Sequence, residues 1–277
     1  MSVGTVAIVG VGLIGGSLAC AWREAGFAQR IVGVETAADA AATALDAGLV
    51  DVIASVVPDE AELVAVCTSS DQIAQQVAGL AQHAGVVFDV GSVKNPILVE
   101  LTEQLGIVPA RYVPCHPIAG SEQSGPRAAR ADLFANAATI ITPNDNTDAE
   151  ALTLVRSAWR AVGAKVLELT PQEHDQTLAV TSHLPHLLAF AFMQQVDADH
   201  LPYTGGGYRD FTRIAGANPE LWWRILRMNK DAVLAAAQTF TADLQALRDC
   251  LAADDVAAGI AALRKAADLR RDPESDV

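Results

Sequence analysis

Along the first 170 residues, short runs of apolar positions are separated by longer amphipathic stretches. Val3–Val9 reads as a buried strand, and residues 31–35 as a second. Residues 63–67, 86–90, 112–114, 138–142 and 165–169 continue the series. Short unbroken apolar runs suit strands covered on both faces. Between them lie helix-like stretches such as residues 37–47, stopped at Gly48, because glycine readily takes the left-handed conformation that ends a helix. This alternation predicts a doubly wound parallel sheet with helices on both faces.

The pattern changes at Thr170. Thr170-Pro171-Gln172-Glu173 has a cap residue, a proline at the first helical position and a glutamate at the third, the signature of a capping box. No further strand is expected beyond it. Asn218-Pro219-Glu220 opens another helix in the same way, and the helical period then continues to about Leu251. One helix of that length suits packing against a partner subunit or spanning a bundle. The expected organisation is an α/β domain over residues 1–170 and an all-α domain over 171–277, with a disordered tail after Asp272.

Composition agrees with a globular protein of two domains: 277 residues, 51% hydrophobic and 19% charged. Nineteen basic residues stand against 33 acidic ones, a formal net charge of −14. No basic run offers a surface to phosphate, which argues against nucleic acid as a partner. The four cysteines, Cys20, Cys67, Cys115 and Cys250, are spread singly. That spacing suits neither a disulfide framework nor a zinc knuckle, and fits a reducing compartment. The N-terminal apolar stretch has no basic start and is cut by glycines, so it is not expected to be a signal peptide. No apolar run approaches the ~20 residues of a membrane span. A cytoplasmic protein is expected.

Gly10-Val11-Gly12-Leu13-Ile14-Gly15 is a G-x-G-x-x-G that follows a predicted strand and opens a predicted helix. Such glycines give a tight turn, close backbone approach to a pyrophosphate, and close helix–strand contact. The helix N-terminus adds free N–H groups and partial positive charge. Glu35 follows at the end of the second strand, where an acid accepts hydrogen bonds from the adenosine ribose. No Arg or Lys follows closely to pair with a 2′-phosphate, which favours NAD over NADP. Leu13, Ile14 and Thr68, the last just past the third apolar run, complete the candidate cofactor contacts of this Rossmann-type domain.

A dehydrogenase acting on a hydroxyl needs a base for the proton and donors for substrate carboxylates. Of the six histidines, His83 and His200 lie in polar, loop-like surroundings and are expected at the surface. His116, in Cys115-His116-Pro117-Ile118-Ala119-Gly120-Ser121-Glu122, lies just past a predicted strand end, where open parallel sheets bind ligands. Catalytic and structural roles both remain open for it on this ground alone. Asp89-Val90-Gly91-Ser92-Val93-Lys94 is a similar corner. Sequence logic alone favours Ser92 as a helix cap and Lys94 at the surface over a pair facing the nicotinamide.

His183 and His186 flank Pro185, with His174 earlier on the chain. No H-E-x-x-H and no nearby cysteine accompany them, so no metal is expected. A proline within a helical pattern kinks it and frees a backbone carbonyl, which suits a pocket wall. Gly205-Gly206-Gly207-Tyr208-Arg209-Asp210-Phe211-Thr212-Arg213 places two arginines four apart behind a glycine-rich approach. Arginine clamps carboxylates in a bidentate fork. A hinge followed by an exposed helix is the alternative.

Taken together, these motifs resemble the prephenate and arogenate dehydrogenases: GVGLIGGS from Gly10, DVGSVK from Asp89, HPIAGSEQSG from His116, SHLPH from Ser182 and GGGYRDFTRIA from Gly205, continued by Pro219-Glu220-Leu221-Trp222 and Asn229. The resemblance covers about residues 5–240. It implies NAD-dependent oxidative decarboxylation of prephenate, or of arogenate or another amino-substituted prephenate, on the route to tyrosine. It also implies a helical domain that forms a homodimer. By the same resemblance His116 accepts the proton of the C4 hydroxyl, with Ser92 hydrogen-bonding nearby. Arg213 binds the side-chain carboxylate, His186 lies near the ring carboxylate, and Glu122 and Arg209 line the pocket. Tyrosine feedback, where present, is expected to act by competition at the active site. A β-hydroxyacid dehydrogenase is disfavoured because Lys230, the only lysine between Thr170 and Arg264, lacks the sequence context of that family's catalytic lysine. A non-enzymatic NAD-sensing dimer would need neither the base nor the arginine pair.

Overall fold

A computed structural model describes residues 2–120 and 123–271. Glu122 and the tail after Asp272 therefore lie outside the described residues. Strands β1 (Val3–Val9), β2 (Ala28–Val34), β3 (Val52–Ala54), β4 (Leu63–Val66), β5 (Val86–Asp89) and β6 (Tyr112–Val113) form one parallel sheet. Their order is β3-β2-β1-β4-β5-β6. The direction of winding reverses between β1 and β4, and a crevice opens at the carboxyl ends of strands at such a switch point. The short edge strand β3 is an addition to the expected series, its apolar run being too brief to stand out in the sequence.

Helices α1 (Leu13–Glu24), α2 (Ala38–Asp46), α3 (Ser70–Gly79), α4 (Asn95–Leu105) and α5 (Ala149–Ala161) flank the strands. Side chains alternate across a strand, and here the alternation feeds two cores. Val6, Ile8, Leu63, Ala65 and Phe88 join Trp22, Phe134 and Trp159 in one, while Ala7, Val9, Val64, Val66 and Val87 join Ile73, Val77 and Leu101 in the other. Phe88 meets Trp22 and Trp159 edge-on at centroid distances of 6.1 and 5.6 Å, the geometry aromatic quadrupoles favour.

The runs at 138–142 and 165–169 do not extend this sheet. They form β8 (Ala138–Ile141) and β9 (Lys165–Glu168), which join β7 (Cys115–Pro117) in a second sheet of order β7-β8-β9. β7 is antiparallel to β8, pairing His116 with Ile140. The reason lies at Pro114. Proline has no N–H to donate to a ladder, so β6 stops at Val113, and the Pro114 carbonyl instead accepts from Thr142 N–H at 2.9 Å.

After β9 the described chain is helical. Thr170 makes the expected capping box with Glu173 and opens α6 (Pro171–Leu178). A π-helical turn, Ala179–His183, leads into α7 (Leu184–Met193), followed by α8 (Gly206–Thr212) and α9 (Pro219–Met228). The long helix expected from Pro219 to Leu251 is interrupted at Asn229 (φ −101°, ψ 28°), and α10 (Lys230–Ala252) begins after it. The Asn229 side chain turns into the core, donating to the Asp175 carbonyl at 2.8 Å, and that bond holds the break. The described chain packs as two compact units that divide between Lys230 and Asp231. The second comprises the rest of α10 and α11 (Val256–Arg270), whose start is capped by Asp255. Among the described residues no helix is long and apolar enough to cross a membrane.

Candidate active site

The glycine turn between β1 and α1 is built for close approach. Gly10 has φ +90°, and a Cβ there would lie 2.9 Å from the Cys67 carbonyl oxygen. A Cβ on Gly15 would lie 2.2 Å from the Gly10 carbonyl oxygen, so only glycine lets α1 sit so tightly on the turn. Gly12, the residue before α1, faces open space: a Cβ there meets nothing within 4 Å. No side chain caps this helix start, so its first N–H groups remain for an anion. Glu35 accepts from Val11 N–H at 3.0 Å and from Ala37 N–H at 2.9 Å, which fixes its carboxylate beside the turn. Thr68 lies past the end of β4, its backbone nitrogen 3.2 Å from that notional Cβ of Gly10. Its hydroxyl is buried without a hydrogen-bond partner among the described residues. An open glycine, an uncapped helix start and an orphaned hydroxyl around one turn fit a dinucleotide. Leu13 and Ile14, half-buried, also pack on the core.

Across the switch point, the corner after β5 differs from expectation. Lys94 is fully buried, not at the surface. Its ammonium pairs with Asp89 and donates to the Cys115 carbonyl at 2.6 Å. Asp89 also accepts from Tyr112 Oη at 2.9 Å and from Cys115 N–H at 3.1 Å. A buried charge is tolerated only when paired and hydrogen-bonded, and this cluster meets both conditions. Ser92 does not cap a helix: α4 starts at Asn95 without a side-chain cap from its own N-terminus. Ser92 N–H instead donates to Ser70 Oγ at 3.1 Å.

His116 is half-buried on β7, and its Nδ1 lies 2.8 Å from Nε2 of His174. His174 is fully buried, and its Nδ1 lies 2.7 Å from Asp175 Oδ1. Nε2 of His116 makes no hydrogen bond among the described residues. Burial holds the His116 imidazole well below the usual histidine range, reinforced by His174, Lys94 and His183. The ring is thus neutral at neutral pH.

The segment carrying His183 and His186 owes its shape to Pro185. Proline lacks an N–H, and its ring crowds the carbonyl four residues back. The helix widens into a π-helical turn just before it, a feature frequent at functional sites. The Ser182 carbonyl accepts from His186 Nδ1 at 2.9 Å. His186 stacks on Trp222, with ring centroids 3.3 Å apart and planes 16° apart. His183 is buried and takes a hydrogen bond from Asn229 at 3.0 Å; burial lowers it to about 4. Burial also lowers His186, and the Arg213 guanidinium adds to that.

Arg209 lies on α8 and Arg213 just past its end, one helical turn apart. Both are exposed and make no ion pair among the described residues. His200 is exposed, as expected, whereas His83 is half-buried and bonded to the Pro58 carbonyl at 3.1 Å. Sequence reasoning missed His174 as the partner of His116 and Asp175 as the partner of His174. Their only sequence signal is adjacency in a well-capped helix.

Two family models match the chain. One, described as prephenate dehydrogenase, nucleotide-binding domain, covers residues 18–168; the other, prephenate dehydrogenase, dimerization domain, covers 170–265. Prephenate dehydrogenase of Bacillus subtilis (strain 168) is 34% identical over 268 residues, 91% of this chain and 71% of that one. Cyclohexadienyl dehydrogenase of Zymomonas mobilis subsp. mobilis is 33% identical over 266 residues, 90% of this chain and 89% of that one. A crystal structure of prephenate dehydrogenase from A. aeolicus, in complex with hydroxyphenyl propionate and NAD+, superposes with a TM-score of 0.89 at 32% identity, covering 98% of each chain.

Proposed function

The chain belongs to the prephenate dehydrogenase family, and from that premise we propose that it converts prephenate to 4-hydroxyphenylpyruvate and carbon dioxide with NAD, in tyrosine biosynthesis. The observation that carries the reading is the His116 imidazole, tethered through Nδ1 to His174 and making no hydrogen bond at Nε2 among the described residues. NAD, when bound, supplies the acceptor for the hydride lost from ring C4. Nε2 of His116 takes the hydroxyl proton as C4 becomes a carbonyl. The bond from ring C1 to its carboxylate then breaks, and its electron pair flows through the ring to the carbonyl oxygen. That oxygen recovers the proton from His116, giving the phenol. Aromaticity drives the second stage, so the protein's work is orientation and charge matching.

In this proposal Gly10, Gly12, Gly15, Leu13, Ile14, Glu35 and Thr68 hold the cofactor, and Ser92 supports the reacting hydroxyl. Arg213 clamps the side-chain carboxylate and Arg209 assists it. His186, backed by Trp222, contacts the ring carboxylate. Glu122 belongs to the same proposal by family resemblance alone. The functional division falls at residue 170, and the helical part forms a homodimer. The exposed Leu244, Leu251, Ile260, Leu263 and Leu269 support the dimer. Four free thiols support a cytoplasmic home.

The test is reduction of NAD, followed at the nicotinamide absorbance, with prephenate as substrate and parallel runs with arogenate and NADP. Prephenate with NAD is expected to give the highest kcat/KM. Turnover with arogenate alone would move the assignment to the amino substrate.

A further inference from the structure

We propose that Asp175 and His174 are positioning residues that lock His116 in the tautomer with its proton on Nδ1, so that Nε2 presents a lone pair to the substrate. The inference rests on the reading of His116 as the base and adds how its correct nitrogen is selected.

The argument starts at the carboxylate of Asp175. Its Oδ1 accepts from Lys94 N–H at 2.8 Å and its Oδ2 from Asn95 N–H at 2.9 Å, so it caps the N-terminus of α4 from the neighbouring helix α6. Negative charge is favoured there by the helix dipole. The third group on this carboxylate is His174 Nδ1, at 2.7 Å from Oδ1. An oxygen that already receives a backbone N–H acts as an acceptor, so the proton in that contact sits on His174 Nδ1. A neutral imidazole has one N–H, and burial keeps His174 below the usual range. Its Nε2 is therefore an acceptor. The contact from this Nε2 to His116 Nδ1, at 2.8 Å, needs one proton, and His116 must supply it. What remains on His116 is an unprotonated Nε2.

Which ring nitrogen carries the proton is set by the hydrogen bond the other one makes. Without His174 that constraint disappears, and Nε2 is free to hold the proton itself, which blocks it as a base. The relay also has consequences after proton uptake: the new charge on His116 faces the Nε2 lone pair of His174, which is backed by Asp175. Asn229 braces the assembly by donating to both the Asp175 carbonyl and His183.

The test is ¹⁵N NMR of the full-length protein labelled at histidine, with the His116 signals assigned by their loss in His116→Gln. At neutral pH, Nδ1 is expected at the protonated-nitrogen shift and Nε2 at the unprotonated one. The reverse pattern overturns the proposal, whatever the role of His116 in turnover. His174→Phe removes the acceptor and should move His116 toward the Nε2–H form. It should also lower kcat by at least tenfold with NAD affinity unchanged. His174→Gln, which keeps an acceptor toward His116 and a donor toward Asp175, should restore the Nδ1–H form and most of that loss. A Phe variant with wild-type shifts and kcat also overturns the relay. Should neither variant fold, the wild-type spectrum decides alone. Full turnover in His116→Gln would instead remove the base assignment while leaving the tautomer measurement intact.

Discussion

The ammonium of Lys94 donates to the carbonyl oxygen of Cys115 at 2.6 Å, tying the corner after β5 to the strand that carries His116. Through this bond the parallel sheet sets the position of the first strand in the second sheet. The same ammonium neutralises Asp89, which in turn holds Tyr112 and the Cys115 N–H.

Removing that charge should be costly. Lys94→Met keeps the stem but leaves Asp89 buried and unpaired, and breaking a buried pair costs about 3–5 kcal/mol. Urea denaturation is expected to show a loss of that size, whereas a surface lysine would cost less than about 0.5 kcal/mol.

The glycine turn separates two kinds of substitution. Gly15→Ala drives a Cβ against the Gly10 carbonyl and should destabilise the fold by about 1–3 kcal/mol. Gly12→Ala projects into open space and should leave Tm unchanged while weakening NAD on the order of tenfold, about 1.4 kcal/mol. Calorimetry of both variants, with and without NAD, checks the contrast; equal effects on Tm would contradict it.

Stability should depend on mild acid through the buried histidines. His183 is lowered from 6.5 to about 4 by burial, and His116 and His174 shift the same way. Between those values the unfolded chain binds a proton that the folded one refuses, so stability is full above the ordinary histidine value and falls as pH drops toward 4. For His183 the loss is on the order of 3 kcal/mol. Urea titrations on both sides of that window should differ accordingly, and a flat profile would contradict the burial of neutral rings.

Arg213 tests the carboxylate clamp. Arg213→Ala should raise KM for prephenate about ten- to hundredfold, from loss of a charged hydrogen bond worth about 1.5–3 kcal/mol, with NAD affinity unchanged. Arg213→Lys should restore only part of this, because an ammonium lacks the bidentate fork. An unchanged KM in the Ala variant would place the clamp elsewhere.

Much of this architecture is legible along the chain because it is set locally. The glycine turn follows an apolar strand, Thr170 and Glu173 cap each other within one turn, and Gly48 closes the chain after α2 with φ +66°. What stayed hidden depends on contacts distant in sequence. Lys94 reads as a surface residue until Asp89 and Cys115 surround it. His174 gains its meaning from His116, 58 residues away. The break at Asn229 comes from its bond to Asp175, 54 residues away, and no helix periodicity records that. The split of strands between two sheets turns on Pro114, a single missing N–H inside an otherwise strand-like run.

The central claim is that His116 accepts the substrate's hydroxyl proton. Its most direct test is His116→Gln, assayed for kcat with prephenate and for NAD binding by calorimetry. The account predicts a fall in kcat of ~10²–10⁴-fold, the scale of a lost general base, with NAD affinity as in the wild type. Near-normal turnover in that variant would contradict it.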